Sequence, residues 1–393
     1  MKILYIHFNS EKGGAPSSLA HLIKFLPKET IESIVLSPKG PVIETFKNVA
    51  NQVIELESLP PFFVLIESIK WKLLKNIWQN KNFYRGYKEI TKHIDSIQPD
   101  IIHLNDSGLF LVARYAKKKG IPVVMHARCV PSSDNSVIQK LILDTISKNV
   151  NHLICITKTV HQKYNSIVNS SVIYNPINRL NDDALPTPKT NSNNTLTCLF
   201  AANFVEGKGI FDFLHTALLL TEKPIKFIIS GKNPRPPQFY TSLFGRILGK
   251  LNLYRNVEQD LKAFVRTNNL KNVDIRGYSN NMPELLQETD VIVAPEHSNS
   301  TPRIVYEAGL YQVPSILSLT SPIDDILINK NTGIIVGRKN PKELAEAILL
   351  LYENSELRRT YGINAQKRYS ILHNPDRCAQ EVLDIYKALL QSK

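Results

Sequence analysis

The chain has 393 residues, 43% of them hydrophobic and 21% charged, which excludes a disordered or fibrous protein and suggests two globular domains. Its formal net charge of +13 favours anionic partners such as nucleotides, phosphates or acidic lipid surfaces, although a lysine-rich composition would also produce it. Cys129, Cys155, Cys198 and Cys378 show no paired spacing, which argues against a zinc site or disulfide frame and suits a reducing cytoplasm.

In chain order, the first apolar run "KILYIHF" soon breaks into polar residues. It is too short and too polar for a secretory signal and reads as a buried strand. "SIVLS", "PDIIHL", "IPVVMHA", "NHLICIT" and "SVIYN" have the same form, as parallel strands covered on both faces do. Between them lie helical patterns such as "SGLFLVARYAKKKG", with helical apolar spacing and a glycine stop. Residues 60–92 carry seven Lys/Arg against two Glu, with Phe62, Phe63, Trp71, Trp78, Phe83 and Tyr84 among them. That segment suits ordinary packing with a solvated basic face, or an interfacial helix against anionic headgroups. No stretch approaches ~18 uninterrupted apolar residues, so no transmembrane helix is expected.

Residues 181–195, "NDDALPTPKTNSNNT", lack apolar periodicity and are the predicted linker between a domain over 1–180 and a second over 196–373. The second series of strands reads "TLTCLFAAN", "KFIIS", "NVDIR", "DVIVAP", "VPSILS" and "GIIVG". Helices are predicted over 207–220 and 302–311, with a helical tail over 341–393. Residues 239–266 form a second basic and aromatic stretch, which reads as helix packing. The βα rhythm predicts an α/β chain of two Rossmann-like, doubly wound domains, with a ligand cleft between their strand carboxyl ends.

Three stretches could carry chemistry. Gly13 and Gly14 follow the first strand and open a helix, where glycine admits a close ligand and free N–H groups meet an anion. Lys208 stands between two glycines at a second strand-to-helix turn, where the helix dipole disfavours a cation; its placement there hints at a nearby anion such as a diphosphate. Glu307 lies in the otherwise apolar "RIVYEAGLY" and needs either an arginine or ligand hydroxyls.

The series "QPDIIHL…GIPVVMHAR", "VIYNPIN", "VDIRGYSNNMPELLQETDVIVAPE" and "IDDILINKNTGIIVGRKNPKELAEAI" resembles, in order and over nearly the whole chain, the retaining GT-B glycosyltransferases of family 4. The resemblance implies a donor-binding second domain and an acceptor-side first domain, with a helix over 374–393 as a candidate to pack back on the first. Lys208 matches the family's diphosphate-binding lysine, Glu307 the second acid of its E-x7-E motif, which holds the donor ribose, and His126 a histidine near the donor sugar. Gly14, with Gly13, matches the loop facing the phosphates and acceptor. Ser300, Thr301 and Pro302 match the loop meeting the β-phosphate and sugar, and the backbone around Gly277 and Tyr278 the base contacts.

Two positions depart from the pattern: the usual arginine is Asn203, and the first acid of E-x7-E is Asn299. Losing one guanidinium contact costs ~1.5–3 kcal/mol unless another cation replaces it. Arg303, Arg235 and the acceptor-side Arg128 are candidates. Retention in this family rests on phosphate stabilisation without a protein nucleophile, so Asn299 is expected to alter sugar recognition more than turnover. No two aspartates stand two positions apart, so the metal motif of the other large glycosyltransferase fold is absent and metal independence is expected.

The resulting expectation is a cytoplasmic transferase, peripheral at the inner face of the membrane through residues 60–92. It would move a sugar from a nucleoside-diphosphate donor to a polysaccharide, lipopolysaccharide or lipid-linked acceptor, with no cofactor beyond that donor and no nucleic-acid partner. The alternatives are a non-catalytic nucleotide-sugar-binding homologue or partner subunit, motivated by Asn203 and Asn299, and a nucleotide-sugar epimerase.

Overall fold

Runs of Ile, Val and Leu can be continuous in a strand only if both faces of the sheet are covered, and this chain builds two such sheets. The computed structural model describes all residues except 58, 60–69, 129–135, 165–166, 168, 178–194, 251–254, 280, 298–301, 319–324 and 393, and except the side chains of 70–81, 136–138, 244 and 250. The chain divides into two units, Met1–Asn178 with His373–Lys393, and Arg179–Leu372. All of the polar stretch 181–195 but Thr195 lies outside the described residues.

In the first unit, β1 (Lys2–Ile6), β2 (Glu32–Pro38), β3 (Gln52–Leu56), β4 (Ile101–Leu104), β5 (Val123–Ala127), β6 (His152–Cys155) and β7 (Ser170–Val172) form one parallel sheet, ordered β3-β2-β1-β4-β5-β6-β7. Alternate residues feed two cores. Leu4 and Ile6 face one with Ile102 and Leu104, covered by Phe83, Ile90 and Ile94 of the helix Lys70–Ile97 and by Val112 and Ala116 of Phe110–Lys118. Ile3 and Tyr5 face the other, covered by Leu19, Leu22 and Ile23 of Gly14–Phe25. Cys378, Val382, Leu383 and Tyr386 of the C-terminal helix Pro375–Gln391 complete that second layer.

The second unit repeats the scheme with β8 (Leu196–Ala201), β9 (Ile225–Ser230), β10 (Val273–Gly277), β11 (Val291–Ala294), β12 (Ser315–Ser318) and β13 (Gly333–Val336), ordered β10-β9-β8-β11-β12-β13 and parallel throughout. One core joins Cys198, Phe200, Phe227 and Val293 to the helices Ile210–Leu219 and Pro341–Glu353. The helix Arg303–Leu310 packs on Ser355–Leu372, with Gly309 close against the Tyr369 ring.

The doubly wound α/β architecture expected from the sequence is the one observed, with two local differences. β3, "QVIEL", is half-exposed at the sheet edge, so it lacks the apolar run that marks a covered strand. The tail over 341–393 is helical as expected, divided into three helices; Asn354 ends the first, and Asn374, whose side chain accepts from the Arg377 N–H, starts the last. The helix predicted over 207–220 begins as a 3-10 turn, Glu206–Lys208, and passes through left-handed Gly209 before Ile210.

Gly209 has φ 71°, and a Cβ there would stand 1.7 Å from the carbonyl oxygen of Pro295. Gly209→Ala is therefore expected to destabilise the second unit by at least ~2 kcal/mol, measured by chemical denaturation. Wild-type stability would mean that the turn does not hold this close approach.

Candidate functional site

In an open α/β sheet, ligands gather at strand carboxyl ends where the strand order reverses. The reversal falls between β1 and β4 in the first unit and between β8 and β11 in the second. Of the sequence-predicted residues, Gly13 and Gly14 follow β1 and Asn203 and Lys208 follow β8, beside these points, whereas His126 lies in β5 and Gly277 ends the edge strand β10.

In the second unit, Lys208 closes the 3-10 turn after β8, and Glu296 stands two residues beyond β11. The Lys208 Nζ donates to Glu296 Oε1 at 2.5 Å, with the carboxylate buried and the lysine partly exposed. The same two segments are stitched twice more. His297 N–H donates to the Gly207 carbonyl, and His297 Nε2 lies 2.7 Å from Asp212 Oδ2. Glu296 is thus one anion beside this cation, presented by the chain itself. Sequence reasoning missed Glu296 because it lies in the polar stretch "EHSNST", three residues before the position where an acid was sought; its following a buried strand directly was the available signal.

Glu307 also has a partner. Arg303 Nε donates to its Oε1 at 2.5 Å across one helical turn, so the arginine proposed as a replacement cation is committed to this carboxylate. Among the described residues Oε2 of Glu307 makes no hydrogen bond, and the side chain is 26% exposed. Pro302 caps the helix. Asn299, Ser300 and Thr301 lie outside the described residues. Asn203 is exposed on the loop after β8. Arg235 lies in the segment after β9, its guanidinium over the Phe239 ring. At the end of β10, Gly277 has φ 68°, and its carbonyl accepts from Gly231 N–H and Ser230 Oγ. Half-exposed Tyr278 lies under the Lys232 ammonium, 5.0 Å from its ring centre.

In the first unit, Gly13 caps the helix Gly14–Phe25 in extended conformation, and a Cβ built on it meets nothing within 4 Å. The residue is thus not needed for backbone shape and leaves open space beside the helix start. Arg128, after β5, donates through Nε and Nη2 to Asn105 Oδ1 (2.9 and 2.6 Å) and through Nη1 to Asn175 Oδ1 (2.7 Å), tying together the ends of β4, β5 and β7. Asn105 Nδ2 lies 3.0 Å from Nδ1 of His7, the residue following β1.

His126, in β5, is buried, and its Nδ1 lies 2.6 Å from Nε2 of His103. Burial, reinforced by the Arg128 charge, pulls His7 and His103 down to about 3 and His126 well below the ordinary imidazole range. All three are neutral at pH 7. Burial pushes the neighbouring Asp106 carboxyl upward, against the Gly108 N–H that it accepts. Neither His7, Asn105 nor His103 was singled out from sequence as a site residue, since each sits at the end of or inside an apolar run.

Of the basic segment 60–92, residues 60–69 and both tryptophan side chains lie outside what the structure describes; Phe83 is buried and Tyr84 exposed. Among the described residues no helix is long and apolar enough to cross a membrane.

The two parallel-sheet α/β units match the GT-B class of known structures. The structure superposes on that of Anabaena HepE in complex with UDP and glucose with a TM-score of 0.75 over 98% of this chain and 99% of that one, at 15% identity. The family described as "Glycosyl transferases group 1" matches residues 183–368, and "Glycosyltransferase Family 4" matches residues 12–179. The chain belongs to the family-4-like glycosyltransferases of GT-B fold.

An uncharacterized glycosyltransferase of Methanocaldococcus jannaschii is 25% identical over 259 residues, covering 65% of this chain and 64% of that protein. The Campylobacter jejuni N,N'-diacetylbacillosaminyl-diphospho-undecaprenol alpha-1,3-N-acetylgalactosaminyltransferase is 23% identical over 194 residues, covering 49% and 45%. The matches thus span less than two thirds of either relative's length.

Two outcomes are expected. A double-mutant cycle on Lys208→Met and Glu296→Gln should return a coupling of about 1–2 kcal/mol in urea unfolding; additive effects would show that the pair contributes nothing. Unfolded imidazoles titrate near ~6.5, well above the folded ones, so the unfolded chain binds more protons below that pH. Stability of the first unit should be full above ~6.5 and fall as pH drops, by up to ~1.4 kcal/mol per pH unit for each imidazole. Tryptophan fluorescence reads that unit, since both tryptophans lie in Lys70–Ile97; a urea midpoint unchanged between pH 7 and 5 would contradict the neutral histidines.

Proposed function

We propose that this chain transfers a sugar, with retention of anomeric configuration, from a nucleoside-diphosphate donor to a glycan or lipid-linked glycan. The observation that carries the reading is the Lys208–Glu296 pair at the reversal point of the second sheet. A lysine at a strand-to-helix turn meets the leaving diphosphate, and a carboxylate hydrogen-bonded to it accepts from hydroxyls of the sugar being transferred. Glu296 then supplies, from three residues earlier, the acid absent at Asn299. Pairing also holds the lysine in one orientation before the donor arrives, so little reorganisation is left for the reaction.

The remaining roles are those that the family resemblance implies. Glu307 accepts a ribose hydroxyl on Oε2 while Arg303 holds Oε1. The backbone around Gly277 and Tyr278 meets the base. Ser300 and Thr301 contribute amides to the β-phosphate, and Asn203 and Asn299 offer amide groups to phosphate and sugar. In the first unit, His126 contacts the sugar, the Gly13–Gly14 helix start faces the phosphates, and Arg128 belongs to the acceptor side. The absence of any DxD pair supports charge stabilisation by these residues without a metal ion.

The Anabaena structure was determined with UDP and glucose, which supports a uridine diphosphate sugar as the first donor to try. The Campylobacter enzyme's name places its acceptor on diphospho-undecaprenol. An acceptor of that kind would bring the chain to an anionic membrane surface, for which the basic, aromatic residues 60–92 are suited.

A panel of UDP-, GDP- and ADP-sugars with lipid-linked acceptors should give transfer with one donor, with the product anomer read by NMR. Lys208→Ala is expected to lower kcat/KM by roughly 10- to 150-fold, the worth of one charge-assisted contact. Wild-type turnover in that variant would remove the lysine from the reaction. A donor bound tightly but never turned over would make the chain a binding homologue instead.

A further inference from the structure

Behind His126 stand two further buried polar side chains that come from distant parts of the sequence. Tyr386 Oη, on the C-terminal helix, lies 2.5 Å from His103 Nδ1 in β4, and His103 Nε2 lies 2.6 Å from His126 Nδ1 in β5. The Tyr5 hydroxyl, 3.5 Å from that of Tyr386, ends the chain of contacts. Tyr5, His103 and Tyr386 are fully buried, and His126 is 3% exposed. Among the described residues Nε2 of His126 makes no hydrogen bond.

Both imidazoles are neutral, so each ring carries one proton, and where two ring nitrogens share a contact one must donate and the other accept. Only two arrangements satisfy the series. In one, Tyr386 donates to His103 Nδ1, His103 Nε2–H donates to His126 Nδ1, and His126 is left with a proton on Nε2. In the other every proton is reversed, and His126 presents a bare Nε2 lone pair.

The buried Tyr5 hydroxyl selects between them. With Tyr386 donating to His103, the Tyr5 proton has the Tyr386 oxygen as its acceptor and every proton of the series is used. In the reverse arrangement Tyr386 donates to Tyr5, and the buried Tyr5 proton is left with no acceptor in the series, which costs its desolvation.

We infer that Tyr386 is a positioning residue: through His103 it fixes His126 as the tautomer whose Nε2–H is a donor, and that N–H meets a hydroxyl oxygen of the transferred sugar. The sugar contact rests on the function proposed above; the tautomer relay does not. The C-terminal helix thereby does more than cover the sheet, since it sets the hydrogen-bond polarity of a side chain on the strand next to the one it touches.

Full-length protein labelled with 15N-histidine provides the test. Long-range proton–nitrogen correlation separates protonated from bare ring nitrogens, with the His126 signals assigned by their loss in His126→Gln. Wild-type protein is expected to show both His103 and His126 protonated at Nε2. In Tyr386→Phe the His126 tautomers should mix, and kcat should fall about 5-fold, the net worth of one hydrogen bond, with UDP affinity unchanged. A wild-type His126 protonated at Nδ1 overturns the inference, and that measurement needs no variant to fold. Unaltered His126 shifts in folded Tyr386→Phe overturn it as well. Mixed tautomers with unchanged transfer would uphold the relay and take His126 out of contact with the sugar.

Discussion

Covering both faces of a parallel sheet is the constraint from which the rest of this protein follows. Each strand must be apolar on both sides, so polar side chains are driven to the strand ends, and the reversal of strand order opens space there for them. His7, Asn105, Arg128 and Asn175 stand at such ends in one unit, and Lys208, Gly277 and Glu296 in the other. The second layer of the first sheet is closed only when the last seventeen-residue helix, Pro375–Gln391, returns to it from the far end of the chain.

The two units handle buried polarity differently. In the second, opposite charges are paired: Lys208 with Glu296 and Arg303 with Glu307. Such pairs offset the cost of desolvation by their mutual attraction and hold both members in fixed orientations. In the first, imidazoles beside a guanidinium give up their charge instead, because burial and the Arg128 field both oppose protonation. A neutral imidazole offers one donor and one acceptor, so it can transmit direction along a series of hydrogen bonds. A charged side chain acts mainly through its field.

Pairing also bears on the two asparagines that depart from the family pattern. Asn299 lacks a carboxylate, and Glu296, three residues earlier in the same polar stretch, presents one to Lys208.

The sequence by itself determined the α/β class and all but one of the thirteen strands among the described residues. Those features are local: apolar runs, glycine turns and proline starts read the same in any context. Gly209 and Lys208 were legible for this reason, as was the need of Glu307 for a partner. Only the tertiary structure decided who the partners are. Arg303 against Glu307 was one of two readings left open, and Glu296 against Lys208 joins positions 88 apart. The His103–Tyr386 contact spans 283 residues, and no pattern along the chain can express it. β3 was missed because an edge strand has one side in water, and His103 because a polar residue inside a buried strand looks like an exception until the helix that satisfies it is in place.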